Sequence, residues 1–368
     1  MGQALYRKYR PKELSSLIGH QTNVDVLRNA AKLNKIGQAY LFYGPRGTGK
    51  TTTARLVAKL LNCEKRKNDL EFRKVGEPCN QCPACLEVDN NNSLDVVEID
   101  AASNRGIDEI RNLKEGVRTA PARGGYKVNI IDEAHMLTGP AFNALLKTIE
   151  EPPAHAVFIL ATTEFEKVPV TITSRTQRFL FKKISKIHII EKLSKIAKEE
   201  KIKIDDSALE IIAASADGSL RDAESLLEQI GSLSDKITAD LVETVVGRAS
   251  SKKVQTLGEL ILEKNASKSL QFIKDIEEEG LNLEQIIKDL IRYLEKSLAI
   301  SLNPTLEKSF SGELTAGEIE IMKKMISSTN QKVIIETIKG LIRAYSEMRY
   351  SPFPSVPLNV FVAESSIT

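Results

Sequence analysis

The sequence predicts an α/β fold, a mostly parallel sheet with helices on both faces, followed by helical domains. Three observations predict it. A glycine loop of the form G-x-x-x-x-G-K-[ST], residues 44–51, joins an apolar strand to a helix. A second apolar run, 127–132, ends in the adjacent acids Asp132 and Glu133. From 185 onward the strand-like runs give way to segments whose apolar residues recur at helical spacing.

Each element follows from local pattern. Residues 6–11 are basic and aromatic and end in Pro11, which predicts an extended lead-in. Val24, Leu27, Ala30, Ala31 and Leu33 fall on one helical face. A strand at 39–43, the glycine loop and a helix at 50–61 come next, and an insertion at 63–87 interrupts the alternation. It resumes with a strand at 94–100, a helix at 107–117, the acidic strand at 127–132, a helix at 141–149 stopped by Pro152-Pro153, and a strand at 157–162. Repeated βα units of this kind build a parallel sheet. Helices are expected at 187–198, 206–216, 220–231 and 239–246, and the remainder is helical with Leu257, Leu260, Ile261, Ile319, Met322, Met325 and Ile326 as core. The domains are therefore drawn at 1–182, 183–247 and 248–368. A chain of 368 residues exceeds what one core organises, so several domains are expected.

The loop has a stated chemistry. Gly44, Gly47 and Gly49 let the backbone N–H groups of the stretch Gly44, Pro45, Arg46, Gly47, Thr48, Gly49, Lys50, Thr51 and Thr52 face a phosphate chain. Lys50 would reach the β- and γ-phosphates, and Thr51 would place its hydroxyl on Mg²⁺. Asp132 would complete the Mg²⁺ shell and Glu133 would orient an attacking water, since ligands of open α/β sheets sit at the carboxyl ends of the strands. Together these residues predict ATP hydrolysis.

The insertion holds all four cysteines, Cys63, Cys79, Cys82 and Cys85, spaced C-x15-C-x2-C-x2-C. Four thiolates can close a tetrahedral Zn²⁺ site that leaves no open position for water, so the metal would be structural. Disulfides or free thiols are the rival reading, although persistent disulfides are unusual in the cytosol and no histidine joins the cluster. The charged run 64–74 is read as a solvated loop. A net charge of +3 leaves any nucleic-acid contact to locally placed Lys and Arg. Ser103, Asn104 and Arg105 open a helix after a strand; they could hold a DNA phosphate or simply cap the helix. The N-terminus is too polar for a signal peptide and no run is long and apolar enough to span a bilayer, so a cytoplasmic protein without membrane partners is expected.

Several strings together resemble one family. They are Arg7-Lys8-Tyr9-Arg10-Pro11, the phosphate loop, the cysteine insertion, Ile131-Asp132-Glu133-Ala134-His135-Met136-Leu137, Asn143-Ala144-Leu145-Leu146-Lys147, Glu150-Glu151-Pro152-Pro153, Ala161-Thr162-Thr163-Glu164, Ser174-Arg175-Thr176 and Gly218-Ser219-Leu220-Arg221-Asp222. They resemble the gamma/tau subunits of the bacterial DNA polymerase III clamp loader, which are AAA+ ATPases. The last third resembles that family only in helical content and position.

The resemblance implies an AAA+ P-loop motor domain with a zinc-binding insertion, a small helical lid domain and a C-terminal helical collar domain. It implies Thr163 as a first sensor of the γ-phosphate, Arg221 as a second, and Arg175 as an arginine finger acting in trans. Thr176 stands where the family usually has Cys, which affects local packing alone. The implied partners are delta and delta-prime type subunits in a hetero-pentamer, a sliding clamp and primer-template DNA. The family is catalogued with DNA-directed DNA polymerase III holoenzyme, a transferase, but polymerase chemistry is not expected in this chain. A hexameric branch-migration motor would call for a basic DNA-binding module at the end of the chain, where the sequence instead reads as an apolar helical bundle without a net positive charge. A catalytically silent subunit is opposed by the presence of Lys50, Thr51, Asp132 and Glu133.

Overall fold

The computed structural model describes residues 3–123, 125–247, 249–310, 314 and 316–367. The domain limits expected at Met1, Arg248 and Thr368 lie outside the described residues. The chain divides into two compact units, one of Met1–Ile184 with Ser219–Arg221, the other of Ser185–Gly218 with Asp222–Thr368.

The first unit is built on five parallel strands: β1 (Ala39–Tyr43), β2 (Val96–Asp100), β3 (Lys127–Asp132), β4 (Ala156–Thr162) and β5 (Gln177–Leu180). Their order is β2-β3-β4-β1-β5. The register sets Tyr43 beside Thr162 and Asp100 beside Asp132, so the carboxyl ends of four strands share one edge. All seven residues of β4 are buried, because helices cover both sheet faces and side chains alternate between them. On one face Tyr40, Phe42, Val128, Ile130 and Ile159 pack with Leu56, Val57 and Leu60 of the helix Lys50–Asn62. On the other Leu41, Ile131, Phe158 and Leu160 pack with Ile110 and Leu113 of Ile107–Arg118 and Phe142 and Leu145 of Gly139–Glu150. Full burial of such a side chain stabilises by about 1.5–3 kcal/mol, so this sandwich is what holds the strand ends in place.

Three expectations are corrected, and one strand is added. The lead-in is a helical turn, Leu5–Lys8, because Lys8 N donates to Ala4 O (3.0 Å) and Tyr9 N to Leu5 O (2.9 Å); Pro11 restricts only its predecessor Arg10. The charged run forms two short helices, Glu64–Asn68 and Leu70–Arg73. Within it Arg66 is 4% exposed, and its guanidinium donates to Leu60 O and to Ala31 O (2.7 Å for the latter). A cation satisfying two helix-end carbonyls can be buried where a free one cannot. The strand expected from 94 starts at Val96, with Leu94 80% exposed. Finally β5 had no pattern long enough to stand out and forms only by pairing with β1.

The second unit is almost wholly helical. Lys186–Glu199, Asp206–Ser215 and Ala239–Val246 stand as expected, and the helix Leu220–Gly231 continues into it after its first two residues. Strands are not absent, however, since Lys203–Ile204 (β6) and Lys236–Ile237 (β7) pair in parallel. Two residues each are too few for any sequence period to report. The later helices Ser251–Leu262, Ala266–Glu278, Leu283–Leu302, Ala316–Ser328, Gln331–Met348 and Ser355–Ile367 close on one core containing Leu257, Ile261, Ile287, Leu290, Met322, Leu341 and Leu358. The expected core residues Ile319, Met322 and Met325 are buried, and Ile326 is half-buried. Among the described residues no helix is long and apolar enough to cross a membrane.

Candidate active site and cysteine cluster

The glycine loop leaves β1 and turns into the helix Lys50–Asn62 through positive φ at Gly44 (140°), Gly47 (71°) and Gly49 (102°). Those angles favour glycine, and space enforces the choice: a Cβ at Gly44 would lie 1.9 Å from Phe181 O, and one at Gly47 1.8 Å from Ser219 Oγ. Ser219 belongs to the segment whose next residue donates Leu220 N to Gly47 O at 3.1 Å. Thr48 is buried, with Oγ1 donating to Pro45 O (2.8 Å), and its own carbonyl lies 2.8 Å from His20 Nε2. Pro45 and Arg46 are exposed and Thr52 is half-buried.

Lys50 is 6% exposed, and its ammonium donates to Gly44 O (2.8 Å) and Pro45 O (2.7 Å). The loop is thus closed on its own cation. Burial pulls the Lys50 pKa down, opposed by the charges of Glu133 and Asp132. Thr51 Oγ1 donates to Asp132 Oδ2 at 2.7 Å, and Glu133 N donates to Asp132 Oδ1 at 3.0 Å. Glu133 adopts left-handed backbone (φ 46°), an uncommon conformation for a side-chain-bearing residue that turns it back over the strand edge. Its Oε2 accepts from Thr163 Oγ1 at 2.9 Å. Next to it His135 Nδ1 lies 3.0 Å from Thr162 Oγ1.

Thr51 and Asp132 open on a cavity of about 630 Å³ that Arg221, Arg10, Arg55 and Tyr6 also line. This volume suits a nucleotide-sized ligand. The Arg221 guanidinium lies 4.9 Å from the Tyr6 ring centroid, a cation–π placement. Burial pulls the Arg10 pKa down from its ordinary value, and the nearby Arg55 adds to that pull. The fold therefore gathers Lys50, Thr51, Asp132, Glu133, Thr163 and Arg221 at one edge of the sheet. Arg175 is engaged elsewhere: it pairs with Glu150 Oε1 at 2.6 Å, donates to Thr171 O at 2.8 Å, and is 38% exposed. Ser103 and Asn104 do not cap the helix Ile107–Arg118, whose N-cap is Gly106; Ser103 Oγ bonds Asp100 Oδ2 (3.0 Å) and Asn104 Nδ2 bonds Asp100 O (3.1 Å). Sequence reading missed His20 and Ser219 as supports of the loop, and nothing local to either residue signals its distant partner. That reading also gave Tyr6 and Arg10 no place in the site; the basic, aromatic composition of their segment is the signal that could have found them.

The four cysteines converge. Their sulfurs all lie within 4.8 Å of one another, Cys63 and Cys85 buried and Cys79 and Cys82 half-buried, all as free thiols. Ligands at 2.3 Å in a tetrahedron stand about 3.8 Å apart, so a small contraction would complete a zinc shell. Cys63 Sγ accepts from Cys79 N and Cys79 Sγ from Cys82 N, both at 3.3 Å, which are contacts that favour thiolates. The hydrogen bond from Cys85 pulls the Cys63 thiol well below the usual thiol range, while the same contact and burial push Cys85 up. The knuckle is not isolated from the cavity, since the last residue of its helix Pro83–Asp89 and the following Asn90 and Asn91 line it.

Three family profiles cover the chain: the DNA polymerase III delta subunit profile over 19–185, the DNA polymerase III clamp loader subunit ATPase lid domain over 188–234, and domain III of the DNA polymerase III gamma and tau subunits over 237–363. The tau subunit of Bacillus subtilis is 40% identical over 98% of this chain, and the gamma subunit of Buchnera aphidicola from Schizaphis graminum 37% identical over 95%. The chain spans 94% of that gamma subunit but only 63% of the Bacillus tau subunit and 61% of the Mycoplasma genitalium gamma/tau subunit. Among solved structures, the Thermotoga maritima RuvB branch migration motor aligns with 69% of this chain and 79% of its own at 19% identity and TM-score 0.46. The five-stranded parallel sheet, phosphate loop and helical second unit are those of an AAA+ protein with lid and C-terminal helical domains. With a full-length relative at this identity, the chain belongs to the gamma/tau subunits of bacterial DNA polymerase III.

Proposed function

We propose that this chain is the ATP-hydrolysing subunit of a replicative clamp loader, acting with delta and delta-prime type subunits in a hetero-pentamer to load a sliding clamp onto primer-template DNA in the cytoplasm. The observation that carries the reading is the 2.7 Å contact from Thr51 Oγ1 to Asp132 Oδ2 beside the glycine loop. It brings together, from positions far apart in sequence, the hydroxyl and carboxylate that a nucleotide-bound Mg²⁺ requires. Bound there, Mg²⁺ would supply charge neutralisation for the phosphates.

The chain's own groups do the rest. The N–H groups from Gly44 to Thr52 cradle phosphate oxygens. Lys50 exchanges two loop carbonyls for the β- and γ-phosphates. Glu133 accepts a proton from the attacking water, with Thr163 holding it until the nucleotide arrives. Arg221 reaches the γ-phosphate from its place over Tyr6, and Arg175 leaves Glu150 to serve the site of a neighbouring subunit. Cys63, Cys79, Cys82 and Cys85 hold a structural Zn²⁺. The motor domain is drawn at 1–182, the lid at 183–247 and the collar at 248–368; a lid profile over 188–234 supports a separate lid, and the domain III profile starts at 237, before the drawn lid ends. Polymerisation chemistry is not assigned to this chain.

The test is ATP turnover and fluorescence-monitored clamp loading by the chain assembled with its partner subunits. Turnover should rise with clamp and primed DNA together. An assembly that hydrolyses ATP but leaves clamps off primed circles overturns the loader reading.

A further inference from the structure

His135 sits in a hydrogen-bonded ring that the roles above leave unused. Its side chain is 6% exposed, with Nε2 3.2 Å from Glu164 Oε1 and Nδ1 3.0 Å from Thr162 Oγ1. Thr162 Oγ1 already accepts from Glu164 N at 3.1 Å, so its hydroxyl proton is available to Nδ1. The ring closes when the imidazole is neutral with its proton on Nε2, donated to the Glu164 carboxylate. That cycle ties the end of β4 to the turn carrying Glu133.

The same Nδ1 lies 3.5 Å from Glu133 Oε2, the oxygen that accepts from Thr163. A neutral ring presents a lone pair to that carboxylate. A protonated ring presents an N–H and a positive charge, and converts a loose approach into an ion pair. The charged groups facing the imidazole are Glu133 and Glu164, and Glu164 is itself paired with Lys167 at 2.8 Å. Glu133 therefore gains most from a second proton on the ring.

We propose that His135 is a positioning residue for hydrolysis: neutral, it anchors the Glu133 turn to the strand end and leaves the carboxylate to the water; protonated, it binds Glu133 and withdraws it. The inference rests on Glu133 being the base, as read above. Its chemistry is proton gain at Nδ1, with no covalent step.

The experiment measures ATP turnover by the full chain, alone and assembled with its partner subunits, between about pH 5 and 8. His135→Ala should lower kcat roughly 10- to 100-fold with KM for ATP unchanged, the effect of a misplaced catalytic group. His135→Gln keeps a donor toward Glu164 but takes no second proton, so it should recover part of kcat and flatten the acid limb. In parallel, ¹⁵N NMR of the nucleotide-free chain should show the proton of the neutral His135 ring on Nε2. Parent-like kcat and pH profile in His135→Ala, or an unchanged acid limb in His135→Gln, overturns the inference alone, as does a neutral ring protonated at Nδ1. A parent without ATP turnover overturns the ATPase reading and this inference with it.

Discussion

Lys59 Nζ lies 2.9 Å from Asp89 Oδ1 and 3.0 Å from Oδ2, with the lysine side chain 1% exposed. The pair joins the helix that leaves the phosphate loop to the helix that carries Cys85. An ammonium this buried depends on its carboxylate, because water cannot replace it. Asp89→Ala should therefore destabilise by about 3 kcal/mol, while Lys59→Met, which removes the charge and keeps the apolar stem, should cost about 1 kcal/mol or less. Urea unfolding midpoints check the order; equal losses would mean that the pair contributes through packing alone.

Lys50→Ala should abolish ATP binding, and Glu133→Gln should keep binding while losing hydrolysis. On the proposed roles, the first removes the cation that would neutralise phosphate charge and the second only the base. Calorimetric titration with ATP beside a phosphate-release assay separates them. Parent-like affinity in Lys50→Ala would remove that residue from the phosphate site.

One Zn²⁺ per chain is expected in protein purified without chelator, read by elemental analysis. Cys82→Ser should lower metal content and melting temperature more than ATP turnover per folded molecule, because a metal held there would couple to folding of the knuckle. Zinc-free protein with parent-like melting would leave the four thiols without a metal role.

Arg175→Ala should leave ATP affinity of the isolated chain nearly unchanged and reduce clamp- and DNA-stimulated turnover of the assembly by about 10³-fold or more. Its partner is Glu150, so a finger acting in trans would have to leave that pair. Mixing Arg175→Ala chains with Lys50→Ala chains should restore some turnover wherever an intact loop meets an intact finger. Mixed assemblies seen by native mass spectrometry yet as inactive as either mutant would place the action of Arg175 within its own chain.

What the sequence alone determined was local. The loop from Gly44 to Thr52 demands glycine at positive φ, and β1 and β3 are apolar without alternation because both their faces are buried, so both could be read from contiguous residues. The cysteine spacing likewise announced a four-sulfur cluster. Only the tertiary structure decided that β1 lies between β4 and β5, which brings Thr51 to Asp132 across 81 residues. It also decided that Arg66 is buried on the carbonyls of Leu60 and Ala31 rather than solvated, and that Arg175 rests on Glu150. The physical reason is that φ/ψ preference and hydrophobic period act within a few residues, whereas strand order and the partner of a charged side chain depend on which surfaces meet after the core closes.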